Sequence, residues 1–110
     1  MIEVVILDYL NQSGYSAYAE EEPDMPEEFI IIEKIGGNET NHIKKAVVAI
    51  KSYAGNLYRA MTINEKVKET MKRITALDQI SKCSLNSDYN YTDTTRKKYR
   101  YQAVFDITYY

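Results

Sequence analysis

The sequence is poor in the residues from which metal and redox sites are built. Its 110 residues include one cysteine, Cys83, one histidine, His42, and no tryptophan. A single cysteine excludes an intrachain disulfide and a cysteine-based zinc cluster, and a single histidine excludes a histidine-rich metal site. One free cysteine is typical of a reducing compartment. We therefore expect no resident metal or other cofactor.

Long apolar runs and a strong excess of one charge are also missing. No stretch approaches the length of about 20 apolar residues that spans a bilayer. The opening MIEVVILDYL has no basic start and is interrupted by Glu3 and Asp8, so we expect no signal peptide. The net charge of −2, with both signs interspersed, predicts no strong attraction to nucleic acid or to an anionic membrane.

Tyrosine is the one residue type in conspicuous excess. Eleven of the thirteen Phe, Trp and Tyr side chains are tyrosines, and the other two are phenylalanines. A tyrosine has an apolar ring and a polar hydroxyl, which suits half-buried sheets and wet interfaces. The length fits a single domain spanning residues 1–110.

Two segments have the apolar periodicity of a helix. The first begins at Ile2 and ends at a turn over residues 11–14. The second is predicted over residues 54–75, with an apolar stripe whose only polar member is Asn64, so we expect Asn64 to have a hydrogen-bond partner. The stripe positions are Leu57, Ala60, Met61, Asn64, Val67, Met71 and Ile74.

The segments between the helices read as strands and turns. YSAYAE predicts a short strand, and FIIIEK, which has no polar break, predicts a strand covered on both faces. Residues 35–44, with the pair Gly36 and Gly37, are interpreted as a long mobile hairpin loop. KAVVAIKSY is the next strand.

Two further strands follow the second helix. In ISKCSLNSDYNY, alternation places Cys83, Leu85, Tyr89 and Tyr91 on one side. In the last strand, from about residue 99, one face carries Tyr, Ala, Phe and Ile. Its other face is polar apart from one valine, which indicates one buried face and one wet or shared face.

The resulting order is α-β-β-β-α-β-β. Strands that follow one another along the chain usually pair antiparallel through short turns, which predicts a meander. The stripe of the second helix has to be buried, and the apolar face of the sheet is the only surface available for it. We therefore predict an α+β domain, with two helices packed on one face of a mostly antiparallel sheet of four to five strands.

No catalytic constellation is present. His42 has no evident orienting partner, and Cys83 lies on an apolar strand face without a basic setting. The carboxylates around the two prolines lack the spacing of a calcium loop, so they read as solvated surface. The glycine pair lacks the spacing of a phosphate-binding loop. We therefore do not expect an enzyme.

The segment RKKYRY, residues 96–101, combines cations and aromatic rings, as surfaces that bind nucleic acid do. Lysines at a hairpin also discourage unwanted strand pairing. A small nucleic-acid-binding module therefore remains an alternative interpretation.

Three segments together resemble one family. YAEEEPDMPEEFIIIEKIGG, KKAVVAIKSYAGNLYRAMTINEKVKETM and LNSDYNYTDTTRKKYRYQAVFDITYY are similar to small tail proteins of prophages and tailed phages of Gram-positive bacteria, the tail terminator or tail completion family. The resemblance covers nearly the whole chain and lies in the overall pattern and the order of elements, since this family has no catalytic motif.

The resemblance implies a structural virion protein. Such proteins form a ring, commonly a homo-hexamer, at the head-proximal end of the tail tube, where the ring stops tube growth and joins the tube to the head. The implied partners are copies of the chain, the tail tube protein and the head–tail connector. The implied location is the phage tail, after synthesis in the host cytoplasm. A head–tail connector or neck protein is the alternative within the same class.

The resemblance transfers no active site, so it indicates only segments that contact partners. They are the loops 20–28 and 35–44, the hairpin 88–98 and the outer face of the last strand, residues 100–108. The individual candidates are Glu20, Glu21, Glu22, Asp24, Glu27, Gly36, Gly37, His42, Asp88, Tyr89, Arg96, Lys97, Arg100 and Tyr101.

Overall fold

A computed structural model describes residues 1–110 and confirms the α+β class and the order α-β-β-β-α-β-β. No helix in it is both long enough and apolar enough to cross a bilayer. The elements are α1 (Ile2–Gln12), β1 (Ala17–Tyr18), β2 (Phe29–Thr40), β3 (Ile43–Ala54), α2 (Leu57–Lys72) followed by a 3₁₀ turn (Ile74–Ala76), β4 (Ile80–Asn90) and β5 (Tyr99–Tyr109).

The five strands form one sheet in the order β1-β2-β3-β5-β4, which corrects the predicted meander. The last strand, β5, pairs antiparallel with β3 on one side and with β4 on the other. The connection from β3 to β4 runs through α2 and is long enough to skip the place next to β3. Strand β4 therefore forms the edge of the sheet, and β5 fills the place between β3 and β4. Both edges of β5 are therefore covered by the same chain.

The first strand is short, as predicted, but its pairing is not antiparallel. It consists of Ala17 and Tyr18, which pair parallel with Ile30 and Ile31 of β2. The connection between the two strands, residues 19–28, contains both prolines and is too long for a tight turn. The chain can therefore turn back along this loop and enter β2 in the direction of β1.

The predicted loop over residues 35–44 is wrong. Strands β2 and β3 continue through it and pair up to Thr40 and Ile43, so the turn consists only of Asn41 and His42. Both have positive φ, 52° and 66°, as a type I′ turn requires. Gly36 and Gly37 lie within β2, where the register shifts just before Gly36. A Cβ on Gly37 would lie only 2.9 Å from the carbonyl oxygen of Lys45, so the close approach of β3 favours glycine at this position.

Both helices pack on one face of the sheet, as predicted; we call it the core face. Residues of α1, α2, the 3₁₀ turn and all five strands form one apolar cluster there. The predicted α2 stripe is buried except at Leu57 and Met61, which are 36% and 42% exposed. Tyr9 of α1 links the helices, because its hydroxyl donates to the Thr70 carbonyl oxygen at 2.7 Å. The central strands contribute Val48, Ile50, Ala103, Phe105 and Ile107 to the cluster.

Strand β4 does not keep one set of side chains on one face, so the predicted alternation is wrong. Cys83 and Leu85 pair with Ile107 and Phe105 on the core face. A β-bulge between Leu85 and Ser87 then inserts one residue, and Tyr89 pairs with Gln102 on the opposite face. An extra residue inverts the alternation that follows it, which a period of two cannot reveal.

Helix α2 is shorter at both ends than the predicted range of 54–75. Ala54 belongs to β3, where it pairs with Tyr99. Asn56 is the N-cap, since its side-chain oxygen accepts from the Arg59 amide at 2.9 Å. The α-helix ends at Lys72, and the 3₁₀ turn still buries Ile74.

The polar residue of the α2 stripe has the expected partner. Asn64 is buried, and its Nδ2 donates to Oδ1 of Asp88 on β4 at 2.6 Å. The other carboxylate oxygen of Asp88 accepts from Lys68, which also pairs with Glu65. The hydrogen bond to Asp88 is the largest cause of the raised pKa of Lys68, and the hydrogen bond to Glu65 raises it further. This network fastens the edge strand β4 to the helix.

We predict that Asn64→Ala lowers the free energy of unfolding by about 2 kcal/mol, because it removes a partly buried hydrogen bond to a charged group. Urea denaturation followed by far-ultraviolet circular dichroism measures the loss. Lys66→Ala is the control, since Lys66 is exposed on the same helix and forms no ion pair. Equal midpoints for the two variants would contradict the structural role of Asn64.

Candidate interaction surfaces

The face of the sheet opposite the helices carries the most distinctive side chains of the molecule; we call it the open face. The alternation of paired strands brings polar, cationic and aromatic groups together there. Its members are Phe29, Ile31, Glu33, Lys45, Val47, Ala49, Lys51, Tyr53, Lys82, Ser84, Ser87, Tyr89, Tyr91, Arg100, Gln102, Val104, Asp106 and Thr108.

Arg100 joins three strands at one end of the open face. Its guanidinium carbon lies 4.4 Å from the ring centre of Tyr91 and 5.7 Å from that of Tyr53. Its Nε donates to the carbonyl oxygen of Tyr91 at 2.6 Å, and its Nη1 donates to the hydroxyl of Tyr53 at 3.2 Å. A planar guanidinium can stack and donate at the same time, which an ammonium group cannot do.

Further aromatic contacts extend from this residue in both directions. Phe29 stacks on Tyr53 with ring centres 4.5 Å apart, and Tyr89 meets Tyr91 edge to face at 6.0 Å. The hydroxyl of Tyr89 accepts from the buried amide of Gln102 at 2.6 Å. Arg100 of β5 therefore connects the aromatic pair of β2 and β3 with the aromatic pair at the end of β4.

The open face has an excess of positive charge, although the whole chain is slightly acidic. It carries four cations and two carboxylates, and only Lys51 has a carboxylate partner, Glu33, at 2.7 Å. Asp106 accepts from the amide of Asn86 instead. The cations without a carboxylate partner are Lys45, Lys82 and Arg100.

The acidic loop, residues 19–28, is held in place by two of its own carboxylates. Glu28 accepts two hydrogen bonds from Arg59 of α2, at 2.7 and 2.9 Å, and these lower the pKa of the Glu28 carboxyl. Glu21 pairs with Lys98 of the β4–β5 hairpin at 3.0 Å. Glu27 lies against Gly55, where a Cβ would meet its Oε1 at 1.8 Å. The loop therefore follows a defined path along the end of the sheet.

The predicted contact residues lie in four places. The acidic loop and the hairpin tip with Arg96 and Lys97 are at one end of the sheet, joined by the Glu21–Lys98 pair. Gly36, Gly37 and His42 belong to the β2–β3 hairpin, whose turn lies at the other end. Tyr89 and Arg100 are on the open face. Asp88 and Tyr101 face the helices, and Asp88 is engaged by Asn64 and Lys68.

Two sheet edges remain unpaired along most of their length. One is β4, which pairs only with β5 and exposes Leu85. The other is the outer edge of β2 beyond Ile31, because β1 covers only Ile30 and Ile31. Ile35 is half-exposed beside this edge. Unpaired edges present backbone donors and acceptors that another strand can use.

Cys83 lies on the core face, partly buried among apolar neighbours. Burial raises the pKa of its thiol to about 11, and the nearby charge of Asp106 adds to the effect. A thiol with a raised pKa is a poor nucleophile near neutral pH. The structure places no group of three or more His, Cys, Asp or Glu side chains so that they could hold a metal ion.

Compared with known proteins, the chain matches no protein-family model and no curated protein. The resemblance to tail terminator proteins therefore stays a prediction.

The stacking of Arg100 between two tyrosines is a feature that the sequence pattern did not reveal. It depends on the pairing of β3 with β5, which brings Tyr53 opposite Arg100, and on the bulge that turns Tyr89 and Tyr91 to the open face. In the sequence, only the cations and aromatic residues of RKKYRY indicate a binding surface here. They do not indicate that Arg100 already contacts Tyr53 and Tyr91 of its own chain.

We predict that Arg100→Lys lowers the free energy of unfolding by about 1–2 kcal/mol, because lysine keeps the charge but loses the stacked, forked geometry. Urea denaturation measures the change. Arg96→Lys is the matched control, since the Arg96 side chain is 76% exposed. A loss no larger than that of the control would show that the stacking contributes nothing to stability.

We also predict that iodoacetamide alkylates Cys83 slowly in the folded protein, with a rate that rises with pH and is half-maximal only near pH 11. Raising the pKa from 9.0 to about 11 leaves roughly a hundredfold less thiolate at pH 8 than in the unfolded chain. Mass spectrometry follows the rate, and the urea-unfolded protein is the control. A half-maximal rate near pH 9 in the folded protein would contradict the burial of this thiol.

Proposed function

We propose that this chain is a structural virion protein that forms a ring at the head-proximal end of a phage tail tube, where it stops tube growth and joins the tube to the head. The observation that carries the proposal is the pair of free sheet edges, β4 and the outer part of β2, on opposite sides of the same sheet. The full-length resemblance in sequence supports it independently.

Two different edges favour a head-to-tail contact. When one patch of a subunit meets a different patch of the next, the same contact repeats and closes into a ring if the rotation allows. Strand β4 of one copy, added to β2 of the next, satisfies the backbone groups that the single chain leaves unpaired. The two edges thus supply both halves of one repeated interface.

The ends of the sheet supply the surfaces for other components. One end carries the acidic loop and the basic hairpin, held together by the Glu21–Lys98 pair, and the other carries the tight Asn41–His42 turn. A ring built through the lateral edges leaves the basic hairpin at one end and the Asn41–His42 turn at the other available for contact. Contact with the tube at one end and with the connector at the other completes the joint.

On this proposal, the genome that encodes this chain also encodes a tail tube protein, and the test uses that protein. We expect that the purified chain, added during tube polymerisation, shortens the tubes seen by negative-stain electron microscopy and forms a ring at one end. Retention on portal-bound heads without any effect on the tubes would favour a connector instead. If the chain binds neither tubes nor heads, the proposal fails.

Lysine on an edge should prevent ring closure. We predict that Ile35→Lys and Leu85→Lys each abolish capping, because a charge beside an unpaired edge opposes strand addition, while each variant keeps its melting temperature within a few degrees. Met61→Lys is the control, since Met61 is exposed on α2, away from both edges. Capping by both edge variants at the level of the control would rule out the edge contact.

A further inference from the structure

We propose that the acidic loop of one copy, residues 19–28, docks on the open face of a neighbouring copy, and that this contact adds an electrostatic interface to the ring. The inference rests on the proposed function, because it requires self-association. It goes beyond it by naming a second pair of complementary surfaces, separate from the sheet edges.

The open face is suited to carboxylates. Lys45 and Lys82 are exposed and have no carboxylate partner, and each is paired in the sheet with Thr108. Arg100 has no carboxylate partner either, and its Nη2 forms no hydrogen bond. The cations thus lie at both ends of a strip along β5. Between them lie small side chains such as Ala49 and Ser87 and the carboxylate of Asp106.

The acidic loop is suited to meet these cations. Glu21 and Glu28 fix it to the hairpin and to α2, while Glu20, Glu22, Asp24 and Glu27 form no ion pair. Asp24 has a positive φ of 63°, as at the tip of a tight turn. The loop therefore presents carboxylates on a backbone that is already ordered, which reduces the entropy lost on binding.

The loop cannot satisfy the open face of its own chain. It lies at the end of the sheet near Arg100, whereas Lys45 and Lys82 lie eight residues further along β5, beside Thr108. At about 3.3 Å per residue, that separation is roughly 26 Å. Asp106 lines the same pocket as Lys45 and Lys82, but it accepts a hydrogen bond from Asn86 and forms no ion pair with either lysine. A second copy can supply further carboxylates at equal concentration.

The aromatic side chains of the open face favour an acidic protein segment over a single-stranded nucleic acid. Nucleic acids use free ring faces to stack their bases. Here Tyr53 is only 7% exposed, one of its neighbours is Phe29, and the rings of Tyr53 and Tyr91 flank the Arg100 guanidinium. Tyr89 and Tyr91 are 42% and 43% exposed, but they meet each other edge to face and Tyr91 also lies against Arg100. Part of the ring surface is therefore already used within the chain, whereas three cations have no carboxylate partner.

The experiment is a charge exchange followed by sedimentation equilibrium at low ionic strength. Lys45→Glu with Lys82→Glu reverses the face, and Glu22→Lys with Asp24→Lys reverses the loop. We expect each pair alone to raise the dissociation constant roughly tenfold or more, and all four changes together to restore it to within about threefold of the parent protein. Lys66→Glu with Arg73→Glu on the helix side is the control with equal charge change.

Rescue by the fourfold variant supports the proposal, and its absence, despite normal melting curves, overturns it. Equal weakening by the control pair also overturns it, because the effect is then one of net charge. The parent protein is also tested for an electrophoretic mobility shift of a twenty-nucleotide oligothymidine. If the loop variant keeps this shift and the face variant loses it, the face binds nucleic acid and the proposal is overturned. If every charge variant still caps tubes, the contact between the loop and the face is not part of the ring, and the proposed function stands. If the fourfold variant restores self-association but neither it nor the parent protein caps tubes, the contact stands and the proposed function fails.

Discussion

The structure depends on the pairing of the last strand, β5, with a neighbour on each side. Its register with β3 and β4 fixes which side chains reach the helices and which reach the open face. Ala103, Phe105 and Ile107 complete the core under α2, while Arg100 and Gln102 organise the opposite face. The strand that comes last in the sequence therefore lies inside the sheet, between β3 and β4, and its pairing with β3 joins residues far apart in the chain.

This central position determines where the molecule is available for contact. Because β5 is internal, the free edges belong to β4 and to the outer part of β2, and they differ in sequence and in neighbours. The network of Asn64, Lys68 and Asp88 holds β4 in place as an edge. The helices cover one face, so edge contacts, the open face and the acidic loop are the surfaces that an assembly can use.

Much of the fold could be predicted from local pattern. The periodicity around α1 and α2 gave both helices and their burial on one face, and the lone polar Asn64 gave its hydrogen bond. Long-range choices could not be read in the same way. Neither the β-bulge after Leu85 nor the place of β5 between β3 and β4 has a local signature in the sequence. Gly36 and Gly37 belong to a strand only because they pair with Val47 and Ala46 of β3. For the interaction surfaces, residue type indicated Arg100 and the acidic loop, but only the sheet order shows that Arg100 is stacked and that the loop is fixed at both ends.

The most direct measurement of the central claim is amide hydrogen exchange, at low and then at the highest attainable protein concentration. We predict slow exchange in β5 under both conditions. In β4 and residues 33–40, the amides that point away from the sheet exchange fast when the protein is dilute and more slowly when it is concentrated, whereas the alternate amides already bond to β5 or β3. Fast exchange in β5, or edges that gain no protection as concentration rises, would contradict a central last strand flanked by edges that serve for assembly.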